Sequence, residues 1–168
     1  GYIGRKGRGG FYRLKPGAKT KEKEVMDLAS GKYVAATRPK LESVQQASGN
    51  LKQLFEFPDA TGTYAWNVMS SVLIYAASLV PEIADDVPAV DSAMRLGYNW
   101  KQGPFELIDK VGARWFVDKL TGDGRAVPPL LQKAADLDGF YRVNDGRYEY
   151  LTVSGFYDAV QRPVGVLL

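Results

Sequence analysis

The side chains here that could do chemistry are carboxylates, lysines, arginines and tyrosines, because histidine and cysteine are both absent. Histidine is the usual general base near neutral pH. Its absence removes Ser-His and Cys-His nucleophile activation, His-ligated metals and His-assisted hydride transfer together. The absence of cysteine removes disulfides and thiolate zinc sites, and it suits a reducing compartment. Three groupings remain. Glu82, Asp85, Asp86 and Asp91 form an acidic cluster, but the alternating ligands and glycine-assisted turn of a calcium loop are missing. A solvated loop with a helix N-cap is the favoured reading, and no metal site is expected. Glu106 and Asp109 stand three apart on one expected helix and could pair as acid and base, although surface or capping carboxylates are far commoner. Gly7-Arg8-Gly9 opens like a phosphate loop, yet Tyr12 stands where the third glycine of a Gly-x-Gly-x-x-Gly fingerprint belongs, and the segment leads into a strand. A structural or linker role is favoured there, with arginine contacts to a phosphate-bearing ligand as the alternative. No catalytic or cofactor-binding residue is expected in this chain.

The elements that must carry these groups are mainly helical. The 168 residues fit one domain or two small halves, and 45% hydrophobic with 24% charged residues is the balance of a globular chain. The longest apolar stretch, Val68 to Val80, is too short for a membrane span, and Gly1 to Lys6 lacks the apolar segment of a signal peptide. The first two dozen residues hold Arg5, Lys6, Arg8, Arg13, Lys15, Lys19, Lys21 and Lys23, while the whole chain carries only +3. A short strand is expected over residues 10–14, then a short helix capped by Thr20 that buries Val25, Met26 and Leu28, then a strand over Lys32–Ala36 able to pair with residues 10–14. From Lys40 the pattern turns helical, with Leu41, Val44 and Gln45 at helix spacing, followed by a short helix at Leu51, Leu54 and Phe55 that Pro58 breaks. Thr61 to Ala84 carries so many apolar positions that burial on more than one side is expected, with Pro81 at a kink or the end. Val87 to Leu96 follows, with Val90, Ala93, Met94 and Leu96 inward and Gly97 closing it. Helices over Phe105–Lys110, Arg114–Leu120 and Pro128–Ala135 complete the set, the first opened by Pro104. The aromatics Trp66, Tyr75, Tyr98, Trp100, Phe105 and Trp115 are expected in the core.

The chain also repeats itself. Gly139-Phe140-Tyr141-Arg142-Val143 matches Gly10-Phe11-Tyr12-Arg13-Leu14 in four of five positions. Each copy continues to a Gly-basic-Tyr strand, at Gly31-Lys32-Tyr33 and at Gly146-Arg147-Tyr148, and then to Arg-Pro, at Arg38-Pro39 and at Arg162-Pro163. The ordered set argues for duplication.

The run from Asp91 to Gly112 contains Asp91, Ala93, Met94, Gly97, Gly103-Pro104-Phe105-Glu106-Leu107, Asp109 and Gly112. It closely resembles the D-x-A-M-x-x-G-x-x-x-x-x-G-P-F-E-L-x-D-x-x-G motif of the C-terminal domain of 3-hydroxyacyl-CoA dehydrogenases. The opening Gly4-Arg5-Lys6-Gly7-Arg8-Gly9-Gly10-Phe11-Tyr12 resembles that domain's closing signature. Closing signature first implies a chain that straddles tandem copies, as in multifunctional β-oxidation proteins. The resemblance implies a mainly helical (all-α) fold of the 6-phosphogluconate-dehydrogenase C-terminal kind with two short β-hairpins. Residues 1–39 would be the tail of a first repeat, 40–163 a second repeat, and 164–168 the start of a linker.

The chemistry implied by the resemblance is NAD-dependent oxidation of a 3-hydroxyacyl-CoA, with the cofactor loop and a His-Glu base pair on an N-terminal Rossmann domain. The fragment is expected to be inactive alone, and NAD belongs to the parent. Asn67 falls where the family carries an asparagine at a helix start, but its flanking glycine and arginine are gone, and it is read as vestigial. Asn99, Trp100, Gly103, Pro104 and Phe105 are the expected contacts with acyl-CoA or a neighbouring repeat. An enoyl-CoA hydratase domain and a homodimer are further implied partners, the expected compartment is cytoplasmic, and neither nucleic acid nor membrane is expected to bind. The alternative is a basic interaction module using Gly4 to Arg8 to bind nucleic acid or an acidic partner.

Overall fold

Residues 3–4, 6–7, 9–137 and 139–161 are described by the computed structural model, and contacts divide the chain into two units, Gly1–Leu41 and Glu42–Leu168. The expected linker at 164–168 and the second Arg-Pro lie outside the described residues, as do Arg5 and Arg8.

The first unit is a three-stranded antiparallel sheet of β1 (Tyr12–Leu14), β2 (Lys23–Met26) and β3 (Tyr33–Ala35), in that order. Two expectations are corrected here. The segment after Thr20 is a strand rather than a helix, because Glu24 pairs opposite Arg13 and the two side chains form a 2.7 Å ion pair. Leu28 is then exposed in a turn, where the Asp27 carboxylate accepts from the Ala29 and Ser30 amides at 2.9 and 2.8 Å. And β3 pairs with β2, not with residues 10–14, because β2 occupies the middle of the sheet.

The second unit holds the helices α1 (Glu42–Ala47), α2 (Leu51–Glu56), α3 (Ala60–Ser78), α4 (Val87–Tyr98), α5 (Pro104–Val111), α6 (Ala113–Gly122) and α7 (Pro129–Asp136). Asn50, Asp59 and Asp86 cap α2, α3 and α4 by accepting from the Gln53, Gly62 and Ala89 amides at 3.2, 2.6 and 2.8 Å. A second antiparallel sheet follows, of β4 (Tyr141–Asn144), β5 (Arg147–Leu151) and β6 (Tyr157–Ala159). The fold is therefore mostly helical, and each expected hairpin is a three-stranded meander.

One core runs through the second unit. It joins Trp66, Leu73 and Ala77 of α3 to Phe105 and Ile108, to Phe116 and Leu120, to Leu131 and Ala134, and to Phe140 and Leu151 of the sheet region. Trp66 meets Phe55 and Phe116 edge-on at 5.6 and 5.4 Å, while its indole N–H donates to Asp123 at 2.5 Å. The long helix is buried on one side only. Tyr64, Val68 and Tyr75 lie exposed on the other, and α3 stops at Ser78, three residues before Pro81. The inward side of α1 is Ser43 and Ala47, with Leu41 and Val44 exposed. Tyr98 is exposed as well, so Trp66 and Phe105 are the expected core aromatics that are fully buried.

The two sheets share one register. Arg13 stands opposite Glu24 as Arg142 stands opposite Glu149. The Met26 amide donates to the Phe11 carbonyl at 2.8 Å, and the Leu151 amide to the Phe140 carbonyl at 2.7 Å. Tyr33 donates to the Gly10 carbonyl at 2.6 Å, as Tyr157 does to Gly139 at 2.7 Å. Arg13 covers the Tyr33 ring at 3.7 Å and Arg142 the Tyr157 ring at 3.9 Å. Tyr33 thus corresponds to Tyr157. The Gly-basic-Tyr match to Tyr148 is a coincidence of local sequence, since Tyr148 lies opposite Val143 on the middle strand.

Phe116 is fully buried against Trp66. Phe116→Ala should cost about 3–5 kcal/mol, read as a lower urea midpoint by tryptophan fluorescence. A change within error would mean that the core lies elsewhere.

Candidate functional site

The motif residues converge on one buried carboxylate. Helix α5 starts at Gly103-Pro104, and glycine has no side chain to cap it, so its first amides need an acceptor from outside. Asp91 supplies it from α4: its carboxylate accepts from the Phe105 amide at 2.9 Å and the Glu106 amide at 3.3 Å. The Tyr141 hydroxyl donates to the same carboxylate at 2.8 Å. Asp91 lies four residues after Val87 on the buried face of α4. The expected inward residues Ala93 and Leu96 point to solvent, and α4 runs through Gly97 to a left-handed Asn99 at φ 55°.

Asp109 does for the sheet what Asp91 does for the helix. Its two oxygens accept from the Phe140 and Tyr141 amides at 2.7 and 2.8 Å, which fixes the entry to β4. Gly139 just before them has φ +143° and runs so close to Asp109 that a Cβ would stand 3.2 Å from its carboxylate. A Cβ at Gly103 would overlap the Asp91 carboxyl outright. Glu106 ion-pairs with Arg95 and accepts from the Gly103 amide at 2.7 Å. Glu106 and Asp109 are therefore committed to different partners, and the expected capping role holds for Glu106.

Burial pushes the Asp91 carboxyl from an ordinary 3.8 up to about 6, against the opposing pull of its Phe105 and Tyr141 donors. The Tyr141 phenol is driven far above its usual range, first by burial and then by the Asp91 charge. The Tyr141 phenol is thus held as a neutral donor, while burial of Asp91 works against the charged carboxylate that its donors favour.

The five expected contact residues separate. Gly103, Pro104 and Phe105 are buried, with Phe105 packed on Phe140 at a ring distance of 4.6 Å. Asn99 is exposed and Trp100 half-buried on the loop above them. Sequence reading missed Asp91, Asp109 and Tyr141 as one circuit. The available signal was an aspartate on the inward stripe of one helix, just ahead of a helix start that cannot cap itself. The acidic cluster resolves into Asp86 as N-cap and Asp91 as buried acceptor, and no group of three potential ligands could hold a metal among the described residues. Asn67 lines a polar depression of about 470 Å³ with Trp66, Lys119, Asp123 and Arg125.

Comparison with known proteins places the chain in a family. The model of the 3-hydroxyacyl-CoA dehydrogenase C-terminal domain matches residues 64–159, a span that includes Asp91, Asp109 and Tyr141. The chain belongs to that family. A Bacillus subtilis protein named "Probable 3-hydroxyacyl-CoA dehydrogenase" is 36% identical over 166 residues, which is 96% of this chain and 21% of that protein. A Rickettsia felis protein named as a "fatty acid oxidation complex trifunctional enzyme" is 39% identical over 106 residues, 63% of this chain and 14% of its own length. A Rickettsia prowazekii protein of the same name is 36% identical over 106 residues. The chain thus spans between 14% and 21% of the length of these relatives. No solved structure gives a significant match. Among the described residues, no helix of this family member is long and apolar enough to cross a membrane.

Gly103→Ala should destabilise the chain by about 1–3 kcal/mol through overpacking onto Asp91, measured by thermal or urea unfolding; full stability would rule out the close approach. Asp91→Asn should also destabilise it, by about 1–3 kcal/mol, by setting an amide against donors. Because the folded pKa of about 6 exceeds 3.8, Asp91 supports the fold most below pH 3.8 and less as pH rises through about 6. The stability gap between wild type and Asp91→Asn should therefore be larger at pH 4 than at pH 7. A gap that grows with pH would show that the ionised form is the favoured one.

Proposed function

We propose that this chain is the helical C-terminal part of an NAD-dependent 3-hydroxyacyl-CoA dehydrogenase of fatty acid β-oxidation. In this reading it completes the acyl-CoA site and makes domain or dimer contacts, and does not catalyse alone. The observation that carries the proposal is the family match over residues 64–159, supported by a relative aligned along 96% of the chain. Residues 1–39 are read as the tail of a first repeat, 40–163 as a second repeat, and 164–168 as a linker towards a further domain such as an enoyl-CoA hydratase. The helical part is assigned to the 6-phosphogluconate-dehydrogenase C-terminal kind, and the parent to the cytoplasm, as a homodimer or a single chain of tandem repeats.

The residues present do not fit NAD. Both sheets are antiparallel, and among the described residues no glycine turn joins a strand to a helix N-terminus, so there is no crevice of the dinucleotide type. Cofactor binding and the base are therefore assigned to another domain of the parent. What this chain offers the substrate is a loop held in place. The Asn99–Gln102 segment is fixed from below by the buried Gly103–Phe105 turn, and Lys110 donates to the Gln102 side chain at 3.0 Å. Asn99 and Lys101 of that loop are exposed, and Trp100 and Gln102 are half-buried.

The purified chain should show no NAD reduction with 3-hydroxybutyryl-CoA, and measurable turnover would overturn the proposal. In the parent enzyme, Trp100→Ala should raise KM for the 3-hydroxyacyl-CoA about tenfold with little change in kcat, the loss of about 1.4 kcal/mol of binding. An unchanged KM would remove the loop from the acyl-CoA site. Tight, salt-sensitive binding of oligonucleotides by the chain would favour a basic interaction module instead.

A further inference from the structure

The register shared by the two sheets makes the second a template for reading the first. In the second sheet, Phe140 is 0% exposed beneath Phe105, the Phe140 and Tyr141 amides donate to Asp109, and the Tyr141 hydroxyl donates to Asp91. In the first sheet, the corresponding Phe11 and Tyr12 are 68% and 67% exposed. The two edges share the Arg–Glu pair, the Tyr-to-glycine-carbonyl bond, the arginine over the tyrosine ring and the strand register. Within the sheets they differ at Tyr148, which stacks on Tyr141 at 5.1 Å where the first sheet has Lys23, and at Tyr150, where the first has Val25. Neither difference supplies the helices that cover Phe140. An exposed Phe-Tyr pair on a short strand leaves in water apolar ring area that burial would stabilise.

We propose that the Phe11-Tyr12 edge of the first sheet is a docking surface for a helix pair of the α4–α5 kind, encoded on the N-terminal side of Gly1. The partner's chemistry follows from the occupied copy. It presents a phenylalanine to Phe11, one carboxylate to the Phe11 and Tyr12 amides, and a second carboxylate to the Tyr12 hydroxyl. These carboxylates sit 18 residues apart, as Asp91 and Asp109 do, and flank a Gly-Pro helix start. The N-terminal side is chosen because α4 and α5 precede β4 in the second unit. The inference rests on the duplication and deepens the reading of residues 1–39 as a repeat tail. It does not depend on the acyl-CoA assignment, so either can fail alone.

Hydroxyl-radical footprinting of the parent polypeptide, purified from its own cells, tests it against residues 1–168. In the shorter chain Phe11 and Tyr12 should label heavily and Phe140 weakly; in the parent their labelling should fall about tenfold, to the Phe140 level. Unchanged labelling in the parent overturns the proposal. So does protection that appears in residues 1–168 as concentration rises, which would make a second copy of this chain the occupant. Phe11→Asp separates docking from internal packing. It should leave the melting temperature of residues 1–168 within about 2 °C and restore Tyr12 labelling in the parent, and labelling that stays low in the variant counts against the surface. Dehydrogenase activity enters none of these readouts. A sequence upstream of Gly1 without two carboxylates 18 residues apart around a Gly-Pro turn would also overturn it.

Discussion

The second unit depends on the need of α5 for an acceptor that its own first turn cannot provide. Gly103 leaves the helix N-terminus without a side-chain cap, and Asp91 fills the gap from a different helix. Burying that carboxylate carries a penalty visible in its raised pKa. Three donors offset it, one of them the Tyr141 hydroxyl from the sheet. Helix α4, the start of α5 and strand β4 therefore meet at two oxygen atoms. Small side chains follow as a requirement: only a residue without Cβ lets α5 start that close to Asp91. Asp109 then repeats the device one helix length further on and sets where β4 begins.

How much of this was legible in the sequence depended on whether the signal was local. Most helix boundaries were, because Asn50, Asp59, Asp86 and Pro104 sit at the starts and act through their own first turns. Strand β2 was not, because what makes Glu24 part of a strand is Arg13 eleven residues earlier. The burial of α4 was misread by weighing hydrophobicity alone: Leu96 is exposed while Asp91 is enclosed. A buried carboxylate is readable only when its donors are known, and two of these lie on α5 and one on β4. Duplication was visible as a word match, but only the ladder registers show that Tyr33 answers to Tyr157.

The family motif accordingly takes on a structural meaning. Asp91, Gly103, Pro104, Phe105, Glu106 and Asp109 are the parts of one clamp, and their spacing follows from two helices and a strand sharing buried acceptors. A clamp of this kind gives a loop such as Asn99–Gln102 a fixed foundation without placing any reactive group on it. The division of labour suits a family whose members are far longer than this chain.

Shared register also creates a hazard during folding. Two edges of like design on one polypeptide are rival partners for a single α4–α5 pair. Asp109 is 31 positions from Phe140 and 98 from Phe11, and loop-closure entropy favours the nearer by only about 1 kcal/mol. Chain connectivity alone would thus tolerate a sizeable fraction of mispaired molecules. Discrimination falls to the residues in which the copies differ: Leu151, fully buried where the first sheet has Met26, and Tyr150, which stands where the first has Val25. Divergence between the repeats is, in kinetic terms, what keeps each edge from being captured by the wrong helices.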